Sequence, residues 1–114
     1  MAQTTFEVIA DPARRQILDL LLIQERPVGE LVTTMAMSQP AVSRHLRVLR
    51  DAGFVRARVD AQRRLYSINA RPLAELDRWL EPYRRLWASA LDDLAAHLDT
   101  MQDDAGTPDR RDLT

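Results

Sequence analysis

The chain has 114 residues, of which 46% are hydrophobic, 29% charged and 5% aromatic, enough for one modest core and too few for two. It has no cysteine, which excludes disulfides, thiolate metal sites and cysteine nucleophiles. The net charge of −1 argues against a uniformly basic protein, yet residues 39–68 hold seven arginines against two aspartates, a local +5 between acidic flanks; a basic middle of this kind is a local anion-binding surface.

At the N-terminus, Met1 to Phe6 has no basic cluster before an apolar stretch and does not read as a secretory signal. Thr5 to Ala10 reads as a short helix. Asp11 before Pro12 is an N-cap followed by the residue type suited to a first helical turn. Ile17, Leu18, Leu21 and Leu22 then form an apolar stripe. The run Ile17 to Ile23, broken by Asp19, is far below the ~20 residues needed to span a bilayer. No membrane partner and a cytosolic location are therefore expected. Pro27 closes this helix, and Val28, Leu31, Val32 and Met35 repeat the spacing in a shorter one.

Ser38 is a good N-cap for the next helix, Pro40 sits in its first turn, and Gly53 offers a left-handed stop after Ala52. The period changes at Phe54. Residues 54–59 and 65–68 are β-prone runs around the polar tip Asp60 to Arg63, a hairpin whose turn type is open because the tip lacks glycine.

From Arg71 onward the pattern is helical. Leu73, Leu76, Leu80, Tyr83, Trp87, Leu91, Leu94, Leu98 and Met101 recur at intervals of three and four. Pro82 lies inside this stretch and should kink or split it near Leu80. Residues 103–114 read as a disordered acidic tail after a domain spanning 1–102.

On a helix from Ser38 to Gly53, Val42, Leu46 and Leu49 form the buried stripe. Pro40, Ser43, Arg44 and Arg47 lie opposite. Such a face fits a B-DNA major groove about 12 Å wide, where arginine forks onto guanine and Gln39 can fork onto adenine. Ser43 suits a base or a phosphate. The preceding short helix completes a helix-turn-helix outline. Taken alone, the stretch is also compatible with an ordinary amphipathic helix and a solvated arginine face. The basic hairpin that follows, with Arg56 and Arg58 on one strand face and Arg63 and Arg64 at the tip, favours a winged helix, mainly α with a β-hairpin wing and about five helices.

Three blocks carry a family resemblance: Ala10 to Leu18 (ADPARRQIL), Ser38 to Leu49 (SQPAVSRHLRVL), and Ala52 to Val55 with Arg64-Leu65-Tyr66. In this order they resemble the ArsR/SmtB-type winged-helix repressors over roughly residues 5–100. The resemblance implies a homodimeric regulator that binds double-stranded operator DNA, with dimerisation through the first and last helices. The expected DNA-binding residues are Ser38, Gln39, Pro40, Ser43, Arg44, His45, Arg47, Arg58, Arg63 and Arg64. His45 is expected at the groove edge, packed and within reach of phosphate. Leu80, Tyr83, Trp87, Leu91, Leu94 and Leu98 would expose a large apolar stripe in a monomer and are the expected dimer contacts.

The chain departs from the family's metal sensors. It lacks their cysteine pairs, and the last helix offers one histidine, His97, four residues after Asp93. No metal or other cofactor is expected, and a metal-responsive repressor using His97 is an alternative. A second alternative is a protein-interaction module presenting the arginine surface to an acidic partner. Trp79, Tyr83 and Trp87 share a helix face, as dimer core or as a site for an unidentified small-molecule effector; the block Trp79 to Arg84 resembles the family members without a metal site. No Ser–His–acid set is evident, so the chain is not expected to be an enzyme.

Overall fold

The structure, a computed structural model, describes residues 3–104. Its contacts divide the chain into two compact units, Met1–Arg78 and Trp79–Thr114.

The first unit begins with α1 (Thr5–Ile9), capped by the Thr4 hydroxyl, which accepts from the Glu7 N–H at 3.1 Å. α2 (Pro12–Ile23) is capped as expected: one Asp11 carboxylate oxygen accepts from the N–H groups of Ala13 and Arg14 at 2.8 and 3.3 Å. Ile17, Leu18 and Leu21 are buried, but Leu22 is 72% exposed. At 100° per residue Leu22 lies 40° beyond Leu18, past the edge of the stripe.

A two-residue strand, β1 (Arg26–Pro27), follows and leads into α3 (Val28–Met35). Sequence periodicity gave no sign of β1. The turn after α3 is made by Ala36 in the left-handed region, with φ of 53°. α4 (Gln39–Asp51) starts at Ser38, whose hydroxyl accepts from Ala41 N–H at 3.3 Å, and buries Val42, Leu46 and Leu49. Gly53 has φ of +82°, and its N–H donates to the Arg50 carbonyl; a side chain there would be strained. The Phe54 N–H donates to the Leu49 carbonyl at 2.8 Å and turns the chain into the hairpin.

β2 (Val55–Asp60) and β3 (Arg63–Ile68) are antiparallel, and β1 completes a three-stranded sheet in the order β1-β3-β2. The tip is a two-residue turn, Ala61 and Gln62, with Ala61 at φ of 56°. Phe54, Ile17, Leu31, Leu46, Leu49, Val8 and Val42 are the fully buried residues of the core. Each such large side chain contributes roughly 1.5–3 kcal/mol by leaving water. The core thus fixes α4 against α2 and α3 and leaves its other face outward.

α5 (Leu73–Asp104) starts in the first unit, where the Thr5 hydroxyl donates to Glu75 at 2.8 Å, and continues through the second. Pro82 lies inside it without splitting it. The proline removes one backbone donor from the helix. Asp103 and Asp104 of the expected tail are helical, and residues 105–114 lie outside the described residues.

Candidate nucleic-acid interface

The outward face of α4 is built by its phase. With Val42, Leu46 and Leu49 in the core, Gln39, Pro40, Ser43, Arg44, Arg47 and Arg50 are all exposed. Ser38 is exposed too, with its hydroxyl committed to the helix cap. Arg50 did not figure among the expected site residues. It lies three residues after Arg47 and seven after Ser43, on the same face, so the helical phase alone could have found it.

The wing divides its arginines between two faces. The register pairs Arg56 with Ser67, Arg58 with Leu65, Val59 with Arg64 and Asp60 with Arg63. Alternation along the strands therefore puts Arg56, Arg58 and Arg63 on one face and Arg64 with Tyr66 on the other. Arg64 and Tyr66 are the wing residues that meet α4. Together with Ser43, Leu46, Arg47, Arg50 and Asp51 they line a groove of about 400 Å³ between helix and hairpin.

Pairing separates these cations further. Among the described residues, Arg44, Arg47, Arg50, Arg56 and Arg64 make no ion pair or side-chain hydrogen bond. Arg63 lies 3.8 Å from Asp60. Arg58 is held by Glu25 through two hydrogen bonds, of 3.1 and 2.5 Å. The hydrogen bond from Arg58 lowers the Glu25 carboxyl from its ordinary value, and the same bond raises Arg58. Three guanidiniums facing one groove with a single carboxylate beside them form an anion-binding surface suited to phosphate, which arginine binds in a forked geometry.

His45, on the shoulder of α4, is half-buried, less open than Ser43, Arg44 and Arg47. The carboxylate that caps α2, Asp11, is shifted. Burial alone would raise the Asp11 carboxyl; hydrogen bonds from the Ala13 and Arg14 N–H groups, and then the charges of His45 and Arg14, outweigh it and leave the group below its ordinary value.

In the second unit, Trp79 and Tyr83 stack obliquely with ring centroids 4.9 Å apart. Tyr83, Trp87, Leu91, Leu94 and Leu98 are exposed, whereas Leu80 is half-buried. No group of three or more His, Asp or Glu residues that could hold a metal occurs among the described residues. No helix of the described residues is long and apolar enough to cross a membrane.

A helix-turn-helix core of α3 and α4 followed by a β-hairpin defines a winged helix-turn-helix protein, the class that places its second helix in the major groove. Residues 11–57 match the model of the bacterial regulatory protein arsR family. The uncharacterized HTH-type transcriptional regulator Rv0081 of Mycobacterium tuberculosis is 40% identical over 98 residues, covering 85% of this chain and 83% of that protein. A possible transcriptional regulator for arsenical resistance superposes with a TM-score of 0.65 at 36% identity, covering 83% of this chain and 96% of the other. The homodimeric winged helix-turn-helix DNA-binding domain of Mb0332 from Mycobacterium bovis gives 0.58 at 31% identity, covering 71% and 75%. The chain belongs to the ArsR family, whose members are DNA-binding transcriptional regulators and not enzymes.

Proposed function

We infer that the protein is a homodimeric, sequence-specific repressor acting in the cytoplasm on an inverted-repeat operator. The observation that carries this reading is the set of unpaired guanidiniums, Arg47 and Arg50 from α4 and Arg64 from the wing, around one groove beside the exposed face of α4. In this reading Gln39, Ser43 and Arg44 meet base edges, while Arg47, Arg50 and Arg64 anchor phosphates and supply most of the affinity.

The homodimer is supported by the exposed apolar face of α5, a larger patch than a soluble monomer normally carries. Its relative from Mycobacterium bovis is homodimeric. Two-fold symmetry sets two α4 helices about one DNA turn apart, ~34 Å. Occupancy of the operator then blocks transcription by mass action, with no chemistry.

Selection from random duplex DNA by the purified protein tests this reading. The expected product is a pair of inverted half-sites centred about ten base pairs apart. Enrichment of an unrepeated half-site would remove the dimer geometry, and no enrichment at all would remove the function.

A further inference from the structure

Arg58 occupies the middle of the wing yet is the wing arginine that donates two hydrogen bonds to a carboxylate outside the wing. Its partner, Glu25, immediately precedes β1. The register of β1 aligns Pro27 with Leu65, and across β3 Leu65 is aligned with Arg58. The third strand therefore brings the Glu25 carboxylate alongside the face that carries Arg56 and Arg58, and the carboxylate closes on Arg58. Both side chains remain in contact with water, at 57% and 36% exposure, so the guanidinium is open to an incoming phosphate.

Resting on the DNA-binding reading above, we propose that Glu25 is a specificity-determining residue, which withholds the Arg58 guanidinium from phosphate and so holds down sequence-independent affinity. A carboxylate and a phosphate compete for the same forked donor. To take Arg58, a phosphate has to displace Glu25 and then sit beside its freed negative charge. The pair therefore adds no net cation to the wing. Phosphate contacts raise affinity for every sequence alike and carry no sequence information. Fewer of them leave a larger share of binding to the base-facing residues of α4. The direction of the Glu25 and Arg58 shifts, down and up respectively, fits a pair charged on both sides.

The test uses the full chain as wild type, Glu25→Gln, Arg58→Gln and the double variant. Fluorescence anisotropy follows binding to the selected operator and to a random-sequence duplex of equal length, across 50–300 mM salt. Glu25→Gln is expected to steepen the salt dependence by about 1.8 in log–log slope per dimer, one freed phosphate contact per protomer. Its affinity for the random duplex should rise roughly tenfold or more, and the operator-to-random ratio should fall. Arg58→Gln alone should change the wild-type slope little, and in the double variant it should cancel the gain. An unchanged slope in Glu25→Gln overturns the inference. So does weaker binding of both duplexes by Glu25→Gln, which would make the carboxylate a prop for the wing, or a flattened slope in Arg58→Gln alone, which would make Arg58 a phosphate contact already. A wild type that binds no duplex removes the DNA reading and this inference together, whereas a wild type that binds beside an unaltered Glu25→Gln removes this inference only.

Discussion

Replacing Arg47 by alanine is the most informative single change, because the side chain is exposed, unpaired and faces the groove between α4 and the wing. Removing it takes nothing from the core, so folding and melting temperature should hold. With Arg47, Arg50 and Arg64 each neutralising one phosphate, a dimer makes about six such contacts, and log affinity should fall with log salt at a slope of about −5.4. Between 50 and 200 mM salt that is roughly an 1,800-fold loss of affinity. Arg47→Ala deletes two contacts per dimer, so the slope should relax to about −3.6 and the loss to roughly 150-fold. Anisotropy titrations on one operator duplex at four or five salt concentrations measure both slopes. A wild-type slope shallower than about −2 would refute the assignment of these arginines to phosphates, and so would an Arg47→Ala slope equal to wild type.

Three further outcomes follow from other parts of the molecule. Arg44→Ala should cost about 1–3 kcal/mol on the best operator and relax preference at one position per half-site, read by competition against single-base variants; a uniform loss across sequences would make Arg44 another phosphate anchor. Leu91→Glu with Leu94→Glu, at positions exposed in the protomer, should give a folded monomer in sedimentation and a large loss of operator affinity, whereas a persisting dimer would place the interface elsewhere. Asp11→Asn keeps a side chain that caps helices well but no longer titrates. Because the folded Asp11 carboxyl lies below its ordinary 3.8, the unfolded chain binds the proton first, so its charge stabilises the fold near neutrality and ceases to do so as pH falls through and below that value. The difference in melting temperature between wild type and Asp11→Asn should therefore shrink toward zero in acid, and a difference constant with pH would dismiss the charge as a source of stability.

Where the signal was local, the sequence read well. The caps at Asp11 and Ser38, the glycine after α4 and the buried phase of Val42, Leu46 and Leu49 depend on neighbours within a turn or two, and each lies where its residue type implies. β1 escaped because two residues, one of them proline, carry no period; only β3 across the fold makes them a strand. The left-handed Ala36 and Ala61 escaped because turns of this kind usually announce themselves by glycine or asparagine. Of the two outcomes that Pro82 left open, a kink or a split, the unbroken helix of 32 residues excludes the split.

For the candidate site, residue type and helical phase brought out most of the face of α4 but not which arginines are already engaged. Arg58 meets a glutamate 33 residues away, which is a fact of tertiary structure. The split of the wing into an Arg64 face and an Arg56–Arg58 face required the strand register. Arg50 was legible from its spacing, and Tyr66 needed the sheet.

The central claim is that the exposed face of α4, with Arg64 beside it, is what meets the double helix. The absence of cysteine from the chain lets that claim be tested with one thiol at a time. Ser43→Cys on α4 and Thr33→Cys, exposed on α3, can each carry a tethered iron chelate that cuts nearby DNA. The account predicts that the Ser43→Cys conjugate cleaves the bound operator at two places related by the two-fold and about one helical turn apart, with little cutting from Thr33→Cys. Strong cleavage from Thr33→Cys and none from Ser43→Cys would contradict it.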